Sequence, residues 1–319
     1  TTVEAIYTTP ENAHYPIELS GTIARWEGDL LVVHDSTRWI TGERRALAAY
    51  LGITEERVRI LSPLVGGAFG SKSFLWMHVV LCAVAAREVG RAVKLVLTRD
   101  QMYTSTGHRP RTEQTIRLVA DEAGEITSTE HHTVTETSTV AHFCEPAGLS
   151  TRFLYRSPRM SVSHTVARIN EPTPCFMRGP GEAPGLFALE VAMDELAVAC
   201  GIDPIELRRR NEPERDPGLD KPWSDRRVIE CLTERAARFG WQQRDPRPGV
   251  RRDGEWLEGT GVAAATYPHM AFPGSAAEID FDESGYQVRI GAVDIGTGTW
   301  TALTQIAAEA LDVEIDQVR

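Results

Sequence analysis

Two distant stretches of this chain read as copies of one another. Residues 30–59, LLVVHDSTRWITGERRALAAYLGITEERVR, and residues 289–319, RIGAVDIGTGTWTALTQIAAEALDVEIDQVR, both run strand, polar turn, Ala-rich helix, short turn and the start of a strand. Leu51 falls on Leu311, Val58 on Val318 and Arg59 on Arg319, with one residue of slack near the first turn. A repeated pattern has to find the same packing twice, so a strand–helix–strand unit is expected to recur. After the first copy the chain runs on from Arg59 into a glycine-rich loop, and after the second it stops. Arg319 therefore reads as a cut inside a second, related half of a longer protein.

The rest of the pattern predicts an α+β chain, with mixed sheets carrying packed helices. TIARWEGDLLVVHDS alternates around Gly28-Asp29 as a strand pair with a tight turn, TGERRALAAYLG has helical spacing with Gly52 as its stop, and ERVRILSPLV returns as a strand. An apolar helix is expected over 74–90, a strand in AVKLVLTRD, and two long strands flanking the turn ADEAGE. Pro172, Pro174, Pro180 and Pro184 make NEPTPCFMRGPGEAPG, residues 170–185, a stiff non-helical loop. Beyond it Leu186, Leu189, Met193 and Leu196 line a helix that stops near Gly201, Asp203-Pro204 caps and opens another, and a third covers about 226–239. The charged, turn-rich residues 246–256 divide a first domain, 1–245, from the start of a second, 257–319.

Charge and composition remove several functions. A length of 319 residues suits about two domains with a sizeable core, and a formal net charge of −11 speaks against nucleic acid, which rewards clustered lysine and arginine. The apolar run FLWMHVVLCAVAA is broken by His78 and ends at Arg87, too short to span a membrane, and no export signal is encoded at either end. Compartment is not readable from these residues, and export together with a partner stays open. The five cysteines are scattered without a C-x-x-C pair, which argues against iron–sulfur and structural zinc sites, and Cys82 and Cys200 fall in apolar helical stretches. His131 and His132 are adjacent on an expected strand, so they face opposite ways and read as part of a solvated strand.

Three glycine-rich junctions carry the chemistry: 65–74, 178–185 and 294–299. The first, VGGAFGSKSF, looks like a nucleotide loop and fails both tests. Ser71 precedes Lys72 where the mononucleotide loop needs glycine, and Ala68 stands where the dinucleotide pattern needs its second glycine. What remains is a turn too tight for side chains, whose N–H groups suit an anion or a flat polar ligand, or simply make the turn. In the second, Arg178 rises from the proline-stiffened loop beside Gly179 and Gly181, either as a fixed guanidinium at a ligand or as a surface arginine. In the third, DIGTGT lies between strand and helix, so its N–H groups either face an anion or belong to a helix start capped by Thr299. No Ser-His-Asp or Cys-His spacing is visible.

In this order, these stretches resemble the molybdenum-binding large subunit of the xanthine oxidase family. GGAFGSK matches the family's glycine-rich loop, MRGPGEAPG its phenylalanine–arginine–glycine loop, and DIGTGT its later strand-to-helix turn. GEAPGLFALEVAMDELA, SKSFLWMH and TSTGHRPRT look like the bacterial aldehyde oxidoreductase branch, whose cofactor is molybdopterin cytosine dinucleotide. The resemblance implies that Gly66, Gly67, Ala68, Phe69 and Gly70, with Arg38, Arg178, Gly179, Gly296, Thr297 and Gly298, neighbour the cofactor. It places Ser73 and Arg178 at the substrate pocket, with no residue bound directly to the metal. The loop lysine is then no phosphate hook.

Two departures qualify what the resemblance implies. Arg38 stands where the family usually has a glutamine near the molybdenum, so a guanidinium either alters that contact or turns away. Ser73 stands where purine hydroxylases have a glutamate, which argues against xanthine. The family's general-base glutamate lies near the end of the full subunit, beyond Arg319, so this stretch alone is expected to lack turnover. The implied parent oxidises aldehydes, aromatic or otherwise bulky, to carboxylic acids with water as oxygen source. Its partners are a [2Fe-2S] iron–sulfur subunit and an FAD subunit in a heterotrimer. Hydroxylation of an N-heterocycle and a cofactor-free remnant are the competing readings.

Overall fold

The computed structural model describes residues 1–247, 249–267 and 274–319. Residue 248 of the expected linker and residues 268–273 of the expected second domain lie outside the described residues. In chain order the strands are β1 (Thr2–Thr9), β2 (Gly21–Glu27), β3 (Leu30–Asp35), β4 (Val58–Leu61), β5 (Val93–Val96), β6 (Thr112–Ala120), β7 (Ile126–Ser138), β8 (Met160–Ile169), β9 (Arg252–Asp253), β10 (Trp256–Leu257), β11 (Ala277–Asp282) and β12 (Gly285–Ile290). The helices are α1 (Ile40–Leu51), α2 (Met77–Val89), α3 (Arg99–Ser105), α4 (Thr151–Leu154), α5 (Glu182–Cys200), α6 (Pro204–Arg210), α7 (Val228–Phe239) and α8 (Thr299–Leu311). The α+β class expected from the pattern is the class observed.

Residues 1–11, 110–171 and 179–269 make one compact unit, and residues 12–109, 172–178 and 270–319 a second. The first unit is built on a four-stranded sheet in the order β1-β6-β7-β8, antiparallel except for the parallel pair β7–β8. Burial alternates strictly along β6, the period of a strand with one face on a core. That face carries Ile116 and Leu118, which share a core with Ala188, Leu189, Ala192, Met193 and Leu196 of α5. Truncating one of these leucines to alanine is expected to cost about 2–5 kcal/mol. The Arg208 side chain of α6 is wholly buried and donates to the carboxylates of Glu190 and Asp194 and to the Val262 carbonyl at 3.0, 2.8 and 3.1 Å. The Ala264 N–H also reaches Glu190, at 2.6 Å, so this ion network fastens the irregular segment 262–264 within the unit.

Two expectations need correction here. The proline-rich segment is not loop throughout, because α5 begins at Glu182 and includes Pro184. Pro184 sits in the first helical turn, where a missing N–H forfeits no intrahelical bond. His131 is not on a solvated strand face. It is buried under the sheet, bonded to Thr151 Oγ1 at 2.7 Å and Gln114 Oε1 at 3.1 Å, and burial pushes its pKa down to about 4. His132, on the opposite face, is half-buried.

The second unit holds a sheet in the order β4-β3-β2-β5, with β3–β4 parallel and the other pairs antiparallel. Ala24, Leu31 and Val33 from the sheet pack with Leu47 and Ala48 of α1 and Val79, Cys82, Ala83 and Ala86 of α2. The β11–β12 hairpin and α8 repeat this plan. Leu31 of β3 pairs in parallel with Val58, and Tyr286 of β12 bridges in parallel to Val318. Both helices end on a residue in the left-handed region, Gly52 and Asp312, and the next N–H closes back on Ala48 O and Ala308 O, each at 3.0 Å. A 3-10 turn follows each, Glu55–Arg57 and Ile315–Gln317. Val58 and Val318 are buried, and Leu51 and Leu311 pack half-buried on their respective cores.

Candidate functional site

The glycine loop starts from a parallel strand, β4, and its backbone has to turn back at once to feed α2. Gly67, Phe69 and Gly70 carry φ of 95°, 53° and 115°. A phenylalanine in the left-handed region is a strained outlier, and such strain persists where the surroundings enforce it. Any side chain at Gly70 is disfavoured, since a Cβ there would stand 1.9 Å from the Phe176 carbonyl oxygen. Among the described residues the N–H groups of Gly67, Ala68, Phe69 and Gly70 make no hydrogen bond, whereas those of Gly66, Ser71 and Ser73 do. Four consecutive donors are thus left on one tight turn.

Backbone hydrogen bonds gather the separated motifs around this loop, all inside the second unit. The Val65 N–H donates to Asp294 O at 3.3 Å, the Arg178 N–H to Phe69 O at 2.9 Å, and the Arg38 N–H to Lys72 O at 3.0 Å. The Arg38 and Arg178 side chains are exposed and make no hydrogen bond or ion pair among the described residues. Ser73 is half-buried. Gly179 follows Arg178 in the chain but belongs to the first unit, where its carbonyl accepts the Ala183 N–H at 3.0 Å. In the turn 294–299 the N–H groups of Gly296 and Thr297 are directed at the Asp294 carboxylate, at 2.8 and 3.1 Å, and that of Trp300 at 3.4 Å. These bonds hold the Asp294 carboxyl below the usual carboxylate range.

Several residues that brace the loop had no sequence signal. Glu18 takes both the Gly66 N–H, at 2.8 Å, and the Lys72 ammonium, at 2.5 Å. The Lys72 side chain is only 1% exposed, so it braces the loop from inside. Behind it lie Asp35, pushed up to about 6 by burial, Glu43, raised by burial and by Asp35, and His78, pushed down to about 4 by burial. Trp39, Phe74, Trp76 and Phe176 form an aromatic cluster, with Phe74 stacked on Phe176 at 5.9 Å between centroids. The Trp76 indole donates to Ser71 O at 2.6 Å and ties this cluster to the loop.

A loop of unpaired N–H donors flanked by two exposed guanidinium groups suits a flat, polar, negatively charged group. The family of molybdopterin cofactor-binding domains matches residues 1–212, and a second molybdopterin cofactor-binding domain matches residues 234–319. The chain belongs to the molybdopterin-binding domains of the xanthine oxidase family. It is similar to the aldehyde oxidoreductase molybdenum-binding subunit PaoC of Escherichia coli (strain K12), 41% identical over 99% of this chain and 43% of PaoC. The putative xanthine dehydrogenase molybdenum-binding subunit XdhA of the same organism is 27% identical over 99% of this chain and 44% of XdhA. The chain thus spans less than half the length of these relatives. Among solved structures, the aldehyde oxidoreductase of Desulfovibrio desulfuricans ATCC 27774 superposes with a TM-score of 0.89 at 23% identity, over all of this chain and 36% of that one. The quinoline 2-oxidoreductase of Pseudomonas putida 86 gives 0.83 at 22%, over all of this chain and 44% of that one. These two share the fold of the molybdopterin-binding domains. Among the described residues no helix is long and apolar enough to cross a membrane.

Proposed function

We propose that this chain is the cofactor-holding part of a molybdenum hydroxylase that oxidises aldehydes, aromatic or otherwise bulky, to carboxylic acids with water as the oxygen source. The observation that carries this reading is the run of four N–H groups, Gly67 to Gly70, unpaired among the described residues, in a loop whose Val65, Phe69 and Lys72 are bonded through the backbone to Asp294, Arg178 and Arg38. The similarity to PaoC over nearly the whole chain supports the aldehyde substrate. The cofactor, read as molybdopterin cytosine dinucleotide, supplies two-electron redox chemistry when bound. Gly67 to Gly70 would hold it by their backbone, Arg38 and Arg178 by charge, and Gly296, Thr297 and Gly298 by close approach. Phe69, 41% exposed, would shield the centre from water with its ring. Iron–sulfur and FAD subunits would carry the electrons away.

Substrate choice follows from what stands after Lys72. Ser73 offers no carboxylate to hold the N–H groups of a purine ring, and Trp39, Phe74 and Phe176 offer flat apolar faces instead. The test is steady-state kinetics of the enzyme containing this chain, with a vanillin-like aldehyde and with xanthine, alongside elemental analysis for molybdenum. The aldehyde is expected to have the higher kcat/KM, and a faster reaction with xanthine would overturn the assignment.

A further inference from the structure

We propose that Arg109 is a positioning residue that sets the direction of the Arg178 side chain. Arg109 is buried, and its Nη2 donates to two successive carbonyls, Met177 O at 2.8 Å and Arg178 O at 2.6 Å. A trans peptide points its C=O and N–H to opposite sides. Holding the Met177 carbonyl on Arg109 therefore aims the Arg178 N–H away from it, and that N–H meets Phe69 O at 2.9 Å. The second bond pins the peptide plane on the other side of the Arg178 Cα. With both planes fixed, φ and ψ of Arg178 are fixed, and with them the direction of its Cα–Cβ bond. The Arg178 side chain has no protein partner among the described residues, so its aim comes from the backbone alone.

The bed beneath is equally rigid. Arg109 exchanges two backbone hydrogen bonds with Asn12, at 3.1 and 2.9 Å, and the Cys175 N–H donates to His108 O at 2.9 Å. A Cβ on Gly107 would stand 2.4 Å from the Cys175 sulfur, so only glycine lets the two segments lie this close. His14 Nε2 holds the Phe176 carbonyl at 2.7 Å, and three successive carbonyls, 176 to 178, thus face buried side chains. A planar guanidinium serves two carbonyls from one nitrogen at fixed geometry, which a lysine ammonium on a flexible stem does not reproduce. The TGHRP motif thereby acquires a mechanical task.

The inference rests on the reading that Arg178 works at the cofactor or substrate, and two measurements separate the two claims. Hydrogen exchange of the Arg178 amide in the full enzyme tests positioning directly. Arg109→Met is expected to speed it at least tenfold while the amides of β6 and β7 keep their rates, and Arg109→Lys to fall between. Kinetics then test function: Arg178→Ala and Arg109→Met are each expected to lower kcat/KM at least tenfold, and the double variant to be no worse than Arg178→Ala. Unchanged exchange of the Arg178 amide in both Arg109 variants overturns the proposal, as do losses that multiply in the double variant. If exchange accelerates but Arg178→Ala keeps full activity, positioning stands and the role given to Arg178 falls.

Discussion

Replacing Glu18 by alanine should unseat the glycine loop, and the cost follows from burial. The Lys72 side chain is 1% exposed while Glu18 is 38% exposed, so the lysine has given up water and the glutamate has not. Removing the carboxylate leaves an ammonium buried without its acceptor, a change worth about 3–5 kcal/mol for a fully buried pair. Asp35 still acts on Lys72 electrostatically, which brings the expectation to about 3 kcal/mol. Glu18→Gln keeps an oxygen for both Lys72 and the Gly66 N–H and should cost about 1 kcal/mol. Lys72→Met removes the buried cation and lets Glu18 rehydrate, so Glu18→Ala on that background should add less than about 1 kcal/mol. The pH dependence has a definite sign. Burial lowers the Lys72 pKa below the ordinary 10.5, and loss of Glu18 lowers it further, so the folded variant favours the neutral amine. The deficit is therefore largest below the folded pKa and shrinks as pH rises toward 10.5. Urea unfolding followed by tryptophan fluorescence measures it, because the Trp76 indole is bonded to Ser71 O in the loop itself. A Glu18→Ala cost under about 1 kcal/mol, or a deficit that grows with pH, would refute the buttress argument.

Gly70→Ala should cost about 2–4 kcal/mol, since it adds a positive-φ penalty to a clash 1.9 Å from the Phe176 carbonyl, and it should free the Arg178 amide. Calorimetric unfolding and amide exchange check both halves of that expectation. His131, held down to about 4 by burial, contributes stability that is complete above its ordinary 6.5 and is lost as pH falls through 4. That contribution is about 3 kcal/mol, and an imidazole NMR titration with a midpoint near 6.5 would contradict it.

Local chemistry made most of the fold legible. Gly52 and Gly201 stop their helices with left-handed caps, Asp203 accepts the N–H groups of Ile205 and Glu206, and the β2–β3 hairpin turns at Gly28-Asp29. Pro184 misled because proline forbids a helix interior and tolerates a first turn, and only the N-cap at Gly181 tells the two apart. The site was legible as motifs, but not as an assembly. Glu18 lies 48 residues from Gly66 and Arg109 lies 69 from Arg178, so no spacing rule connects them. His131 misled for a related reason, since the alternation of a strand says which residues share a face and leaves open what covers that face.

The repeat explains why two related turns do different work. Counting from the start of each copy, Asp35 falls on Asp294, but Asp35 is the last residue of β3 whereas Asp294 lies four residues beyond the end of β12. Asp294 turns its carboxylate onto the N–H groups of Gly296 and Thr297. Asp35 does not, because only residues 36–39 join β3 to α1, where residues 291–298 join β12 to α8, and Thr37 already receives the Trp39 N–H, at 3.1 Å. Its carboxylate accepts the Thr22 hydroxyl instead and lies 6% exposed among Lys72, His78 and Glu43. Counting back from Leu51 and Leu311, Arg38 falls on Gly298. One turn thus presents a guanidinium and the other bare backbone, with the loop between them bonded to both, through Lys72 O and the Val65 N–H. The four-residue connection thus places a guanidinium on one side of the loop, and the eight-residue connection places bare backbone on the other.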